Sequence, residues 1–191
     1  MITATRLSAE LVSSRFADSA AWAGWYLPME FWTPGALGLG ELPRYAQETS
    51  MYLKSVRDLP VLGSPFISDL GVDPETTRAV FTTLLQAADI DIVALQDGVG
   101  ARQIPTSELA TRVRPWLEAT QAACDTAGCE TWLNAESFFG PNAAAPDGVE
   151  AQLGIASTHG LLAVTFEFSN YWIDEDGSSN ELYDWYFASQ R

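Results

Sequence analysis

At 191 residues, with 47% hydrophobic and 18% charged positions, the chain carries enough apolar surface for one packed domain and too little length for two. Its 25 acidic residues against 10 basic ones give a formal charge of −15. That field repels phosphate backbones and anionic lipid surfaces, so nucleic acid and membrane are excluded as expected partners and a neutral or cationic ligand is favoured.

Helical spacing of Leu7, Leu11, Val12 and Phe16 predicts an opening helix over 2–18. This segment includes Arg6, Glu10, Arg15 and Asp18 and lacks a signal-peptide core. No apolar run reaches the roughly 20 residues of a membrane helix, and localisation is not legible. The run AWAGWYLPMEFW (21–32) reads as a buried strand, 41–58 as a helix and PVLGSPFIS (60–68) as a second strand. Asp73-Pro74 supplies an N-cap and first-turn proline for a helix to about Ala88. The third strand is expected at 89–95. A long helix is expected from about Ser107 to Ala127, stopped by Gly128. The remaining expectations are a strand at 130–136, a short helix at 147–158, a strand at 160–168 and a final helix through ELYDWYFAS.

Apolar strands alternating with amphipathic helices imply a parallel sheet covered by helices, either a (β/α)₈ barrel or an open doubly wound sheet. The doubly wound reading, an enzyme acting on a small polar metabolite, lacks a phosphate-binding glycine fingerprint here. GALGLG (35–40) does not open a helix directly after a strand.

Each expected strand ends in a polar residue: Glu30, Ser68, Asp97, Glu136 and Glu167, spaced 29 to 39 residues apart. In a parallel barrel all strand C-termini share one face, so these side chains can converge there. Trp25, Tyr26, Phe31 and Trp32 flank Glu30. Trp132, Phe138 and Phe139 flank Glu136, and Phe166, Phe168, Tyr171 and Trp172 flank Glu167. Rings for the apolar faces of pyranoses beside carboxylates for hydroxyls describe a sugar site, and core packing is the competing role for each ring. His159, in STHG before a strand, is expected to cap a helix C-terminus, since it falls at the wrong end of a barrel for a catalytic triad. Cys124 and Cys129 read as free thiols or an incidental local bridge, with too few companions for a zinc site. The WIDEDG stretch lacks the spaced ligands of a calcium loop, though a weak metal contact stays open. No cofactor and no metal site are expected.

In order, GWYLPMEFW, VLGSPFIS, IDIVALQDGVG, TWLNAESF and VTFEFSNY resemble the domain-of-unknown-function family 4434, a bacterial family grouped with TIM-barrel glycoside hydrolases. LQDGVG and NAESF are the most specific parts. The resemblance implies that residues 1–191 form a single partial (β/α)₈ TIM-barrel domain, its C-terminal five units (strands four to eight). Three units that family members carry before the GWY strand are lacking here. It places Glu30 and Glu136 where retaining barrel glycosidases hold the acid/base and the nucleophile. That carry-over is by position, because GWYLPMEF lacks the Asn-Glu pair of the acid/base motif.

The resulting expectation is a retaining glycoside hydrolase. Glu30 is the acid/base, kept protonated by desolvation beside Trp25 and Phe31, and Glu136 is the nucleophile. Asp97, Glu167, Gln96 and Asn134 are expected to bind sugar hydroxyls or tune the pair, with Trp25, Tyr26, Trp32, Phe138 and Tyr171 as substrate-binding rings. The rival is a non-catalytic carbohydrate-binding or scaffold protein, whose open sheet edge is covered by a second copy, by another polypeptide or by a rearranged fold.

Overall fold

The structure, a computed structural model, describes residues 2–28, 30, 41–66, 72–174 and 176–189. Five parallel strands form one sheet: β1 (Trp25–Tyr26), β2 (Val61–Gly63), β3 (Ile92–Gln96), β4 (Glu130–Glu136) and β7 (Leu162–Phe166). Their spatial order follows chain order without reversal. A doubly wound sheet reverses direction at a switch point, so that alternative is set aside. The sheet curls into a half-barrel.

Between the strands run α2 (Leu42–Val56), α3 (Pro74–Ala87), α5 (Arg114–Ala127) and α6 (Pro146–Thr158), preceded by α1 (Ile2–Phe16). Strand alternation sends Trp25, Val61, Val93, Leu95, Leu133 and Ala135 toward these helices. There they join Leu53, Leu84, Leu85, Leu117, Ala123 and Ala156 in the main core. Asp73 caps α3 as expected, its Oδ1 accepting the Thr76 N–H at 2.8 Å. Gly128 closes α5 in the left-handed region, at φ 84°. His159 caps α6, its Nδ1 2.9 Å from the Ile155 carbonyl oxygen and its Nε2 3.2 Å from Glu118.

Several elements are shorter than expected, each for a local reason. Among the described residues β1 covers two of 21–32. Leu27 N–H still donates to Leu62 O at 2.9 Å, and Pro28 has no N–H to offer the ladder. β2 likewise stops short of Pro65, which has no N–H to offer, and among the described residues Phe66 bridges to Gln96 beyond it. The helix expected from Ser107 breaks into a 3₁₀ turn at Thr106–Glu108, α4 (Leu109–Arg112) and α5. Val113, at φ −120° and ψ −55°, separates the last two, because Pro115 can enter a helix only in its first turn.

Two elements were not expected. A hairpin of β5 (Phe138–Phe139) and β6 (Asn142–Ala143) projects beyond β4, and α7 (Phe168–Tyr171) follows β7. The chain ends its described part in α8 (Glu181–Ser189), packed near α6 around Trp172 and Leu182.

The stripe that predicted α1 is largely uncovered: Leu7, Leu11, Val12 and Phe16 are 38–64% exposed, and Ala9 is the buried residue of that helix. No helix of the described residues is long and apolar enough to cross a membrane.

Candidate functional site

The face of the sheet opposite the helices carries Tyr26, Leu62, Ala94, Gln96, Trp132, Asn134, Glu136 and Val164, as strand register and alternation require. At its C-terminal end a polar layer forms. Ser64 Oγ donates to the Ala94 carbonyl oxygen at 2.8 Å and accepts from Asn134 Nδ2 at 3.0 Å, and Gln96 Nε2 donates to the Ser64 carbonyl oxygen at 3.1 Å. Tyr26 also hydrogen-bonds to Ser64, and partial desolvation of its half-exposed side chain, with the charge of Glu30, pushes its phenol above its ordinary pKa.

Two carboxyl groups are sunk into this end. Asp97 is fully buried and Glu136 is 2% exposed. Asp97 Oδ1 accepts the N–H of Val99 at 3.0 Å and of Glu136 at 3.4 Å. Its Oδ2 accepts no hydrogen bond from any described residue. Burial outweighs those two bonds and pushes Asp97 up to about 8, with the neighbouring Glu136 charge adding to the rise and Arg102 opposing it. Asp97 is therefore mostly neutral at pH 7.

Glu136 is shifted the same way, again chiefly by burial, although the backbone N–H groups of Ala101 and Gly100 and the Arg102 guanidinium favour its charged form. The Ala101 N–H reaches Glu136 Oε2 at 2.7 Å. The charge of Glu30 also adds to the rise of Glu136. Glu30 is itself exposed. The desolvation expected of Glu30 thus falls on Glu136 and Asp97, because Glu30 lies past the end of β1, where the strand has left the core.

The clamp on Glu136 depends on LQDGVG. Gly98 sits at φ 67°, a turn conformation that favours glycine. Gly100 packs against the hairpin so closely that a Cβ would lie 2.1 Å from the Phe138 carbonyl oxygen. Gly100 O in turn accepts the Gly140 N–H at 3.0 Å. Gly100→Ala must push loop and hairpin apart. It is expected to cost about 1–3 kcal/mol, read as a lower urea midpoint, and to loosen the Glu136 clamp; an unchanged midpoint would show the contact to be unimportant.

Of the other expected site residues, Phe138 stacks on Tyr171 with ring centroids 5.0 Å apart, and Glu167 is half-buried after β7. Trp25 does not join them. It is 6% exposed on the helix side of β1, donating to the Arg57 carbonyl oxygen at 3.0 Å, because the residue before Tyr26 must face the other way. Phe31, Trp32 and Ser68 lie outside the described residues. Ser64, Ser137, Arg102 and Gln152 were not singled out from the sequence. Ser137 Oγ hydrogen-bonds the Phe166 carbonyl oxygen and accepts from Trp172 Nε1 at 2.9 Å, and Gln152 Nε2 donates to the Glu136 carbonyl oxygen at 3.3 Å. The SPF proline after Ser64 was the one available signal, since it ends the strand there.

Cys124 and Cys129 are free. Among the described residues no group of three His, Cys, Asp or Glu side chains could hold a metal ion. Asp176 spends its Oδ1 on the Ser178 N–H and hydroxyl instead.

A curled parallel α/β sheet with buried carboxyls at its strand ends defines the class: a half-barrel with its polar site on the C-terminal rim. The chain belongs to the domain-of-unknown-function family DUF4434, whose family model matches residues 2–178. Among curated proteins none matches it.

Proposed function

We propose that the protein is a retaining glycoside hydrolase in which Glu136 is the nucleophile and Glu30 the general acid/base. The observation that carries this reading is the buried Glu136 carboxyl held by the Ala101 N–H at the end of β4, with an exposed second carboxyl, Glu30, past the end of β1 whose charge acts on it. A nucleophile must be held on one trajectory, and the backbone N–H groups of Ala101 and Gly100 hold Glu136. An acid/base must take a proton from the attacking water in the second half-reaction, and an exposed Glu30 is open to that water. Neutral Asp97 beside Glu136 removes a like charge from the nucleophile at pH 7. Glu167, Gln96 and Asn134 would bind hydroxyls, with Tyr26, Phe138 and Tyr171 as ring contacts. The net charge of −15 favours a neutral glycan over nucleic acid or an anionic membrane.

The test is a panel of aryl glycosides and unmodified oligosaccharides, with the anomer of the first product followed by NMR. Turnover giving the substrate's own anomer is expected. Inversion would replace the nucleophile by a general base, and no turnover by the folded protein across the panel would remove the enzymatic reading.

One observation favours a non-catalytic carbohydrate-binding or scaffold protein as a second reading. A closed barrel fills its interior with side chains, whereas Tyr26, Leu162 and Val164 on the inner face are 53%, 62% and 36% exposed. A second copy or another polypeptide seated on that face would complete the wall. Sugar binding without turnover in the same panel would support this reading.

A further inference from the structure

Behind the strand-end carboxyls, the 99–106 loop, the β5–β6 hairpin and the first turns of α6 enclose a partly open cavity of about 440 Å³. Val99 and Ile104 give it an apolar wall, and Phe139, 40% exposed, stands at its edge with Asn142 and Asp147. Gln152 lines it from α6 and is 1% exposed. The Gln152 Nε2 is committed to the Glu136 carbonyl oxygen, which fixes the orientation of the amide. Its Oε1 accepts no hydrogen bond from any described residue. A buried carboxamide oxygen without a donor is uncommon, because burial has already taken its water away. A hydroxyl entering the cavity would satisfy it.

We propose that this cavity is a second ligand site, separate from the carboxyl cluster, for a neutral polyhydroxylated ring of monosaccharide size. The volume lies within the range of small-molecule sites and suits one ring better than an oligomer. The apolar wall and the Phe139 ring match the C–H face of such a ring. Gln152 Oε1, the Asn142 amide oxygen and the Asp147 carboxylate are acceptors for its hydroxyl donors. Asp147 and the overall charge of −15 disfavour an anion. Glu136 enters only through its main-chain carbonyl, so the site is independent of the hydrolase reading.

Saturation-transfer NMR and calorimetry on the full chain, with D-glucose, D-galactose, D-mannose and myo-inositol as probes, test it. At least one probe is expected to bind. Gln152→Leu and Phe139→Ala should each weaken that probe by about tenfold, while Glu30→Gln, at the strand-end cluster, leaves its affinity unchanged. Thermal melts check folding; if Gln152→Leu does not fold, Phe139→Ala, which truncates a half-exposed ring, decides alone. The proposal fails if no probe binds, or if the folded cavity variants bind as wild type does. It also fails if Glu30→Gln abolishes binding, which would place the probe at the strand ends, a result separable from the loss of turnover that tests the hydrolase reading.

Discussion

Raising the pH from about 5 to about 8.5 is expected to destabilise the wild-type fold, and Asp97→Asn is expected to remove much of that loss. The folded chain keeps the Asp97 proton up to about pH 8, whereas an unfolded aspartate releases it near its ordinary value of 3.8. Between those values the folded state binds the extra proton, so stability falls as pH rises, by about 1.4 kcal/mol per unit at most. The contribution is whole below the unfolded value and gone above the folded one. Glu136 is shifted in the same direction and adds to that fall in stability. The amide that Asp97→Asn introduces cannot ionise, yet it still offers its oxygen to the Val99 and Glu136 N–H groups. The variant should therefore be the more stable protein at about pH 8.5, by an amount on the order of a few kcal/mol. Self-repulsion at a net charge of −15 also grows with pH, but in both proteins alike, so the difference between their urea midpoints isolates Asp97. Parallel midpoint curves would refute the buried neutral acid.

What was legible in the sequence tracks how local each signal is. β4 falls at Glu130–Glu136 as expected, and α3 and α6 start within a residue of the proline that opens them. The strands that came out short were limited by Pro28 and Pro65, whose missing N–H matters only once a neighbouring strand is known. The α1 stripe was visible, but periodicity reports that one face of a helix is apolar and not what covers it. The site divides in the same way. Asp97 and Glu136 could be named because strand-end acids recur at the spacing of one strand–helix unit. Ser64 could not, since its partner Asn134 lies 70 residues away. Nor could Gln152, an ordinary polar residue within a helix until α6 brings it under the Glu136 carbonyl. The environments of the two proposed catalytic carboxyls were harder still. Flanking aromatics made Glu30 look desolvated, yet Trp25 turns into the core and leaves Glu30 in solvent, while Glu136, at the end of a longer strand, remains inside.

That difference in burial sets what each carboxyl should do when removed. On any glycoside that the panel shows to be hydrolysed, Glu136→Gln is expected to lower kcat by about 10⁴-fold or more, the scale of losing a covalent nucleophile. Glu30→Gln should lose about 10²–10⁴-fold on substrates that need a protonated leaving group. It should lose far less in the glycosylation step of aryl glycosides whose leaving group departs as an anion. Loss that depends on the leaving group in one variant and not in the other is the signature of the two roles. The pH profile adds an independent constraint. Glu136 must be ionised to attack, and burial holds its pKa above the ordinary carboxylate range, so the acid limb of kcat/KM should lie above that range. An acid limb at an ordinary carboxylate value would mean that Glu136 is not the nucleophile. Equal losses in both variants on every leaving group would mean that Glu30 and Glu136 bind the sugar together without dividing the chemistry between them.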